Sequence, residues 1–271
     1  MPTLSFNRCN QTMSQDTITL NKPDHQQLSL AEEVAGAPGY STQLSLSEPE
    51  LTLIRQLIKD QYLQQIEQHH PDKLGLFRHR SMADYHQLCH HIDHEKLWPK
   101  VKRILPQSSV ETIQTLPFMK ELEKAYGAFT LSDEEEVGYG EMYWRIVRPD
   151  RPTDVGPVHA DYMFWDLGHG KMPPDCFRVK VWLALFAEKG KSGFQFVPGS
   201  HLEDIPYVGE KRGLITKPRL LVEAKDLALV PFAASAGDMI VFNDRLLHGG
   251  LVGGEKTRIS LEFTMIVPHR S

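Results

Sequence analysis

The chain has 271 residues, with 30 Lys plus Arg against 35 Asp plus Glu, a formal charge of −5. At 41% apolar and 24% charged residues it has the composition of a globular protein, not of a disordered or low-complexity one. The acidic balance argues against a partner bound through phosphate neutralisation, so no nucleic-acid partner is expected. Cys9, Cys89 and Cys176 form no CxxC pair and no disulfide framework, which fits a reducing compartment. Residues 1–20 lack the apolar core of a secretory signal, and the longest apolar run, Val181–Ala187, is too short to span a bilayer. A cytoplasmic protein without a membrane partner is expected.

Residues 1–46 read as a polar, irregular lead-in, with one short strand around Ser41–Leu46. Residues 47–271 read as a single domain. Ser47 and Glu50 have capping-box spacing, and Leu51, Ile54, Leu57, Ile58, Tyr62 and Ile66 follow at helical period. Further helical stretches are expected near Met82–Ile92 and Val110–Tyr126, so 47–130 is the helical part. His86, His90 and His94 would then share one helix face. Without a fourth ligand they read as a polar face rather than a zinc site. The run Asp133–Glu136 reads as a solvated acidic loop.

The pattern changes near Gly138. Segments 139–148, 178–187, 193–197, 227–232, 238–243 and 257–267 are rich in β-branched and aromatic residues and punctuated by Gly and Pro. Many short strands without alternating helices predict an antiparallel barrel or double-sheet jelly roll over 139–267. No Gly-rich phosphate loop is present.

Two His-bearing segments stand out in this half, His159-Ala160-Asp161 and His248-Gly249-Gly250. On a strand, i and i+2 share a face, so His159 and Asp161 would enter one site, and His248 would complete a two-His, one-carboxylate face. Such a face leaves positions open and suits non-haem Fe(II) with a co-substrate and O2. Arg258, ten residues on, suits a carboxylate clamp, with Ser260 on its face.

In these residues the chain resembles the phytanoyl-CoA dioxygenase-like branch of the Fe(II)/2-oxoglutarate-dependent oxygenases. The ordered set is His159–Asp161, the strand Val181-Trp182-Leu183-Ala184-Leu185, the turn Gly193–His201 ending in Pro-Gly-Ser-His, Gly237-Asp238, His248, and Arg258-Ile259-Ser260. The resemblance implies a mainly β fold, a double-stranded β-helix (jelly-roll, cupin-like) core with flanking N-terminal helices. It implies Fe(II) on His159, Asp161 and His248. It also implies 2-oxoglutarate on Arg258, with Ser260 and Trp182 beside it, and O2 as oxidant. The reaction implied is decarboxylation of 2-oxoglutarate to succinate coupled to oxidation of a substrate C–H bond. Halogenating relatives replace the carboxylate ligand by a small residue; Asp161 is retained, which favours hydroxylation or a related oxidation.

Alternation also places Tyr143, Arg145, Lys180 and Glu262 toward the barrel interior, with Glu262 a partner for Arg145, and Trp165 follows the metal motif. These polar side chains predict a small or medium polar substrate, such as a sugar, an amino acid or a conjugate. His201 reads as a turn residue bonded to nearby backbone. The segment Asp166–Pro174 reads as a loop, either mobile over the site or a rigid turn. Two other classes fit a similar barrel. A cupin-like metal-dependent isomerase or hydrolase would leave Arg258 unexplained, and a non-catalytic carbohydrate-binding jelly roll would not need the three donors. Oligomeric state is not legible.

Overall fold

The computed structural model describes residues 28–213 and 215–269; most of the polar lead-in lies outside them. The helices are α1 Leu30–Ala35, α2 Glu48–His69, α3 Leu74–Arg78, α4 Tyr85–Leu88, α5 His94–Leu97, α6 Gln107–Gln114, α7 Pro117–Tyr126 and α8 Tyr162–Asp166. The strands are β1 Tyr40–Ser41, β2 Thr130–Leu131, β3 Tyr143–Val147, β4 Cys176–Phe186, β5 Gly193–Phe196, β6 Tyr207–Arg212, β7 Ile215–Leu220, β8 Val230–Phe232, β9 Met239–Asn243, β10 His248–Leu251 and β11 Arg258–Pro268.

The strands form the two sheets of a double-stranded β-helix. The larger has the order β1-β9-β4-β11-β2, with β3 also pairing β11. The smaller is β10-β5-β8, extended past β10 by a single bridge between His159 and His248. All named pairings are antiparallel. β6 and β7 form a separate hairpin.

β11 and β4 carry the architecture. On β11, Ile259, Leu261, Phe263, Met265 and Val267 join the core shared with the helices. The intervening Arg258, Ser260 and Thr264 are buried among the strands, in the other direction. On β4, Val179, Val181, Leu183 and Leu185 face the helices, while Trp182 and Ala184 join a second core with Phe194, Phe196, Ile240 and Phe242 between the sheets. The period of two thus separates a face that bears the helical layer from a face that bears the interior.

The helical layer departs from expectation in three places. Ser29 and Glu32 form a capping box, and Leu30 and Val34, one turn apart, bury one face of α1 within the stretch expected to be irregular. The segment expected as one helix over 82–92 is a 3-10 turn, the short α4 and a second 3-10 turn, with α5 following. His86, His90 and His94 therefore share no helix face; His86 bonds Thr257, and His94 bonds the Tyr85 hydroxyl. The helix expected over 110–126 is broken at Pro117, because the residue before a proline is driven out of the α region, and Leu116 is extended (ψ 152°).

The capping box at Ser47 forms, and its acid has a second duty. Glu50 accepts from the Ser47 amide at 2.8 Å with one oxygen and from the Phe118 amide at 3.0 Å with the other. One buried carboxylate thus caps the first turns of both α2 and α7.

Candidate active site

His159 and Asp161 converge, but not by sharing a strand face. His159 exchanges backbone hydrogen bonds with His248 (2.9 and 2.8 Å), and the chain then turns at Ala160, so that Asp161 stands at the start of α8 with helical dihedrals. The turn swings the carboxylate back toward both imidazoles. Asp161 Oδ1 lies 3.8 Å from His159 Nε2, and Oδ2 lies 3.5 Å from His248 Nε2. One ligand atom from each residue falls within 4.8 Å of the others.

Each ring is fixed from behind. His159 Nδ1 is 2.8 Å from the Pro157 carbonyl, and His248 Nδ1 is 2.9 Å from the Leu246 carbonyl. A carbonyl can only accept, so both Nδ1 atoms carry hydrogen and both Nε2 lone pairs face the site. Phe194 stacks on His248 and Phe242 meets it edge-on, while Phe164 on α8 meets His159 edge-on.

The protonation states suit cation binding. Burial lowers His159 to about 4 and lowers His248 as well, so both are neutral at neutral pH. Burial alone would raise Asp161, but the Lys180 ammonium foremost outweighs it and holds the carboxyl well below its usual range. Asp161 Oδ2 is buried without a hydrogen-bond partner among the described residues. Two neutral nitrogens and an unsatisfied carboxylate oxygen fit a divalent cation.

The opposite wall fits an anion. Arg258 is 2% exposed. Its Nη1 donates to Ser260 Oγ at 3.0 Å, and its Nε is buried without a partner. Among the described residues it forms no ion pair. Burial lowers its pKa to about 10, which leaves it charged at neutral pH. A buried guanidinium without a counter-ion is costly, and a ligand carboxylate would relieve that cost. Trp182 lines the cavity between the two walls, its ring 5.9 Å from the Arg258 guanidinium.

The remaining candidates divide. Arg145, Lys180 and Glu262 line the same cavity. Arg145 Nε is 2.7 Å from Glu262 Oε1, and Tyr143 donates to Glu262 Oε2 at 2.7 Å, while Ser260 donates to Glu262 Oε1 at 3.3 Å. Tyr143 thus acts behind Glu262. Trp165 is turned away and carries the Arg178 guanidinium 4.5 Å above its ring. Arg178 in turn pairs with Asp244 at 2.6 Å. Glu134, expected in a solvated loop, is mostly buried and lies 3.7 Å from Lys180 and 3.2 Å from Lys100.

Several supports were not legible. In the Pro-Gly-Ser-His turn, Ser200 Oγ donates to the Val197 carbonyl at 2.8 Å and accepts from the Leu247 amide at 2.9 Å, directly before His248. His201, expected to bond backbone, is buried with neither ring nitrogen bonded among the described residues. It packs on Gly39, where a Cβ would fall 2.3 Å from the ring. Val155 and Gly156 also line the cavity, and Gly250 makes room for them, because a Cβ there would fall 2.5 Å from Val155. Glycine pairs read as turns in sequence, yet Gly249 and Gly250 lie within β10. The segment after α8 is tied down by His169 Nε2 at 2.5 Å from the Thr216 carbonyl on the β6–β7 hairpin.

The fold, and a cavity lined by residues that could hold a metal ion and a carboxylate, fit the non-haem iron, 2-oxoglutarate-dependent class. The profile of the family described as Phytanoyl-CoA dioxygenase (PhyH) matches residues 54–253, and the chain belongs to that family. The family's cofactors are Fe(II), 2-oxoglutarate and O2. At the level of sequence, no curated protein matches the chain. Among solved structures, the apo form of the non-heme monooxygenase ThoJ superposes with a TM-score of 0.56 at 17% identity, covering 88% of this chain and 77% of its own. AviO1 from Streptomyces viridochromogenes gives 0.52 at 13%, covering 89% and 95%. The alpha-ketoglutarate-dependent carbocyclase SnoK from nogalamycin biosynthesis gives 0.52 at 15%, covering 89% and 84%. At these identities the likeness is one of fold. No helix among the described residues is long and apolar enough to cross a membrane.

Proposed function

We propose that the chain is an Fe(II)/2-oxoglutarate-dependent dioxygenase that hydroxylates a small or medium polar metabolite. His159, Asp161 and His248 would hold the metal, and Arg258, with Ser260, would hold the distal carboxylate of 2-oxoglutarate. The observation that carries the reading is that one cavity is lined by two residues with buried polar atoms lacking a hydrogen bond among the described residues, Asp161 Oδ2 and Arg258 Nε. A binding module would have no use for either, and an isomerase or hydrolase would leave Arg258 without a role.

The bound metal would supply activation of O2 coupled to decarboxylation of the co-substrate. The chain's own residues orient and enclose. The Nδ1 hydrogens on Pro157 and Leu246 keep both Nε2 lone pairs aimed inward. Trp182, Phe194 and Phe242 exclude water from the inner end, where fixed charges act most strongly. Arg145 and Glu262, paired and facing the cavity, support a polar substrate over a long alkyl chain.

An anaerobic Fe(II) titration with and without 2-oxoglutarate tests the reading. A weak visible charge-transfer band of the chelate is expected in the wild type and absent in His159→Ala. Folded, iron-loaded protein without that band would overturn it.

A further inference from the structure

Lys180 is a charged residue on an inward-facing position of β4, one pleat from Trp182 and opposite Thr264 of β11. It is 5% exposed. Its Nζ donates to Thr264 Oγ1 at 2.7 Å, and lies 3.5 Å from Asp161 Oδ2 and 3.7 Å from Glu134 Oε1. Thr264 Oγ1 donates onward to Glu134 Oε1 at 2.8 Å, and Glu134 Oε2 accepts from Lys100 at 3.2 Å. A connected polar chain therefore runs from Asp161 out of the barrel to the acidic run, where Lys100 also meets Glu135 and Glu141.

A lysine in this place is expensive. Burying an ammonium costs several kcal/mol, offset only by good partners, and an apolar residue would fill an inward position among Trp182 and Phe242 at no such cost. Glu134 and Thr264 fix the ammonium from the far side. On its near side it meets the Asp161 carboxylate, whose Oδ2 has no hydrogen bond of its own among the described residues.

We propose that Lys180 is a positioning residue for Asp161, held in register by Thr264 and Glu134, so that the acidic run at Asp133–Glu136 serves the metal site through a single member. Partners behind a metal ligand set its orientation, and losing one weakens binding by about 10- to 100-fold. This rests on the metal reading of His159, Asp161 and His248 given above.

The test uses the full chain stripped of metal and titrated with Co(II), followed by its visible d–d absorption. Wild type, His159→Ala, Lys180→Met, Lys180→Arg and Glu134→Gln are compared, with melting temperatures taken alongside. Lys180→Met is expected to raise the Co(II) Kd about tenfold or more and to alter the d–d spectrum. Lys180→Arg should recover part of the affinity, and Glu134→Gln should weaken binding in the same direction. A Lys180→Met Kd raised less than about tenfold, with an unchanged spectrum, overturns the proposal. A purely architectural lysine would give that result with a lowered melting temperature. Should Lys180→Met not fold, Glu134→Gln and Thr264→Val decide. Wild-type affinity in both overturns the proposal, and weakened binding in either at wild-type melting temperature supports it. If wild type takes up no Co(II), or His159→Ala binds equally well, the metal reading itself fails and takes this inference with it.

Discussion

Arg258 and Ser260, two residues apart on β11, are joined by a 3.0 Å hydrogen bond, the single bond the guanidinium makes among the described residues. On the function proposed above, a buried cation so thinly held would trade stability for ligand binding. Arg258→Met should therefore separate the two. Replacing even a buried ion pair by well-packed apolar side chains is often neutral or stabilising by about 1–4 kcal/mol, and Arg258 has no counter-ion to lose among the described residues, so the variant without co-substrate should melt at or above the wild-type temperature. Its apparent KM for 2-oxoglutarate should rise about 30-fold or more, the effect of about 2 kcal/mol or more for truncating a buried charge pair. Differential scanning calorimetry and a succinate assay check the two halves, and wild-type co-substrate affinity would contradict the clamp.

The three donors are predicted to act as a unit. His159→Ala, Asp161→Ala and His248→Ala should each reduce succinate formation to background. Chelation of the wild type should do the same, with recovery on adding Fe(II) but not Mg2+, since two imidazoles favour the transition metal. Residual turnover in Asp161→Ala would point away from the facial arrangement.

Glu262 gives the acid limb of stability a predictable sign. Burial would raise its pKa, but Arg145 and the Tyr143 hydroxyl outweigh that and hold it at about 2, below an ordinary value near 4.3. Between those values the unfolded chain binds the extra proton, so stability falls as pH drops through the interval and is fully present above it. One such group contributes a slope of at most about 1.4 kcal/mol per pH unit. Melting temperatures from pH 5 to 2.5 should fall less steeply in Glu262→Gln than in wild type, and parallel curves would show that the carboxylate is not held low.

Ser200 supports His248 through the preceding residue. In Ser200→Ala the Leu247 amide loses its partner in a buried place, which costs about 1–3 kcal/mol. A lowered melting temperature is expected, with weakened metal binding as the start of β10 loosens. Ser200→Thr, which retains the hydroxyl, should lie between the two.

How far the sequence could be read follows from range. The alternation along β11 placed Arg258, Ser260 and Glu262 together, because a strand's period is fixed by covalent geometry. The Arg145–Glu262 pair was legible for the same reason, both lying on inward positions of neighbouring strands. Features set by contacts distant in sequence were not. Glu134 looks like one acid among four until Lys100, thirty-four residues earlier, draws it inward. The break between α6 and α7 was written in Pro117, but the periodicity of Val110, Ile113 and Phe118 masked it. His159 and Asp161 were matched to one site by a strand argument, whereas the turn into α8 brings them together.

The division of β11 into two alternating sets has an evolutionary consequence. Substitution at 258 and 262 alters the cavity lining, and at 260 and 264 the support behind it, while 259, 261, 263, 265 and 267 hold the helices, so selection can vary the cavity without touching the scaffold. The same strand is intolerant of changes in length. Inserting or deleting one residue would exchange the two sets at a stroke, pressing charges into the helical layer and apolar groups into the chamber. Divergence within such a lineage should therefore proceed by replacement along this strand, with length variation displaced to segments such as the β6–β7 hairpin.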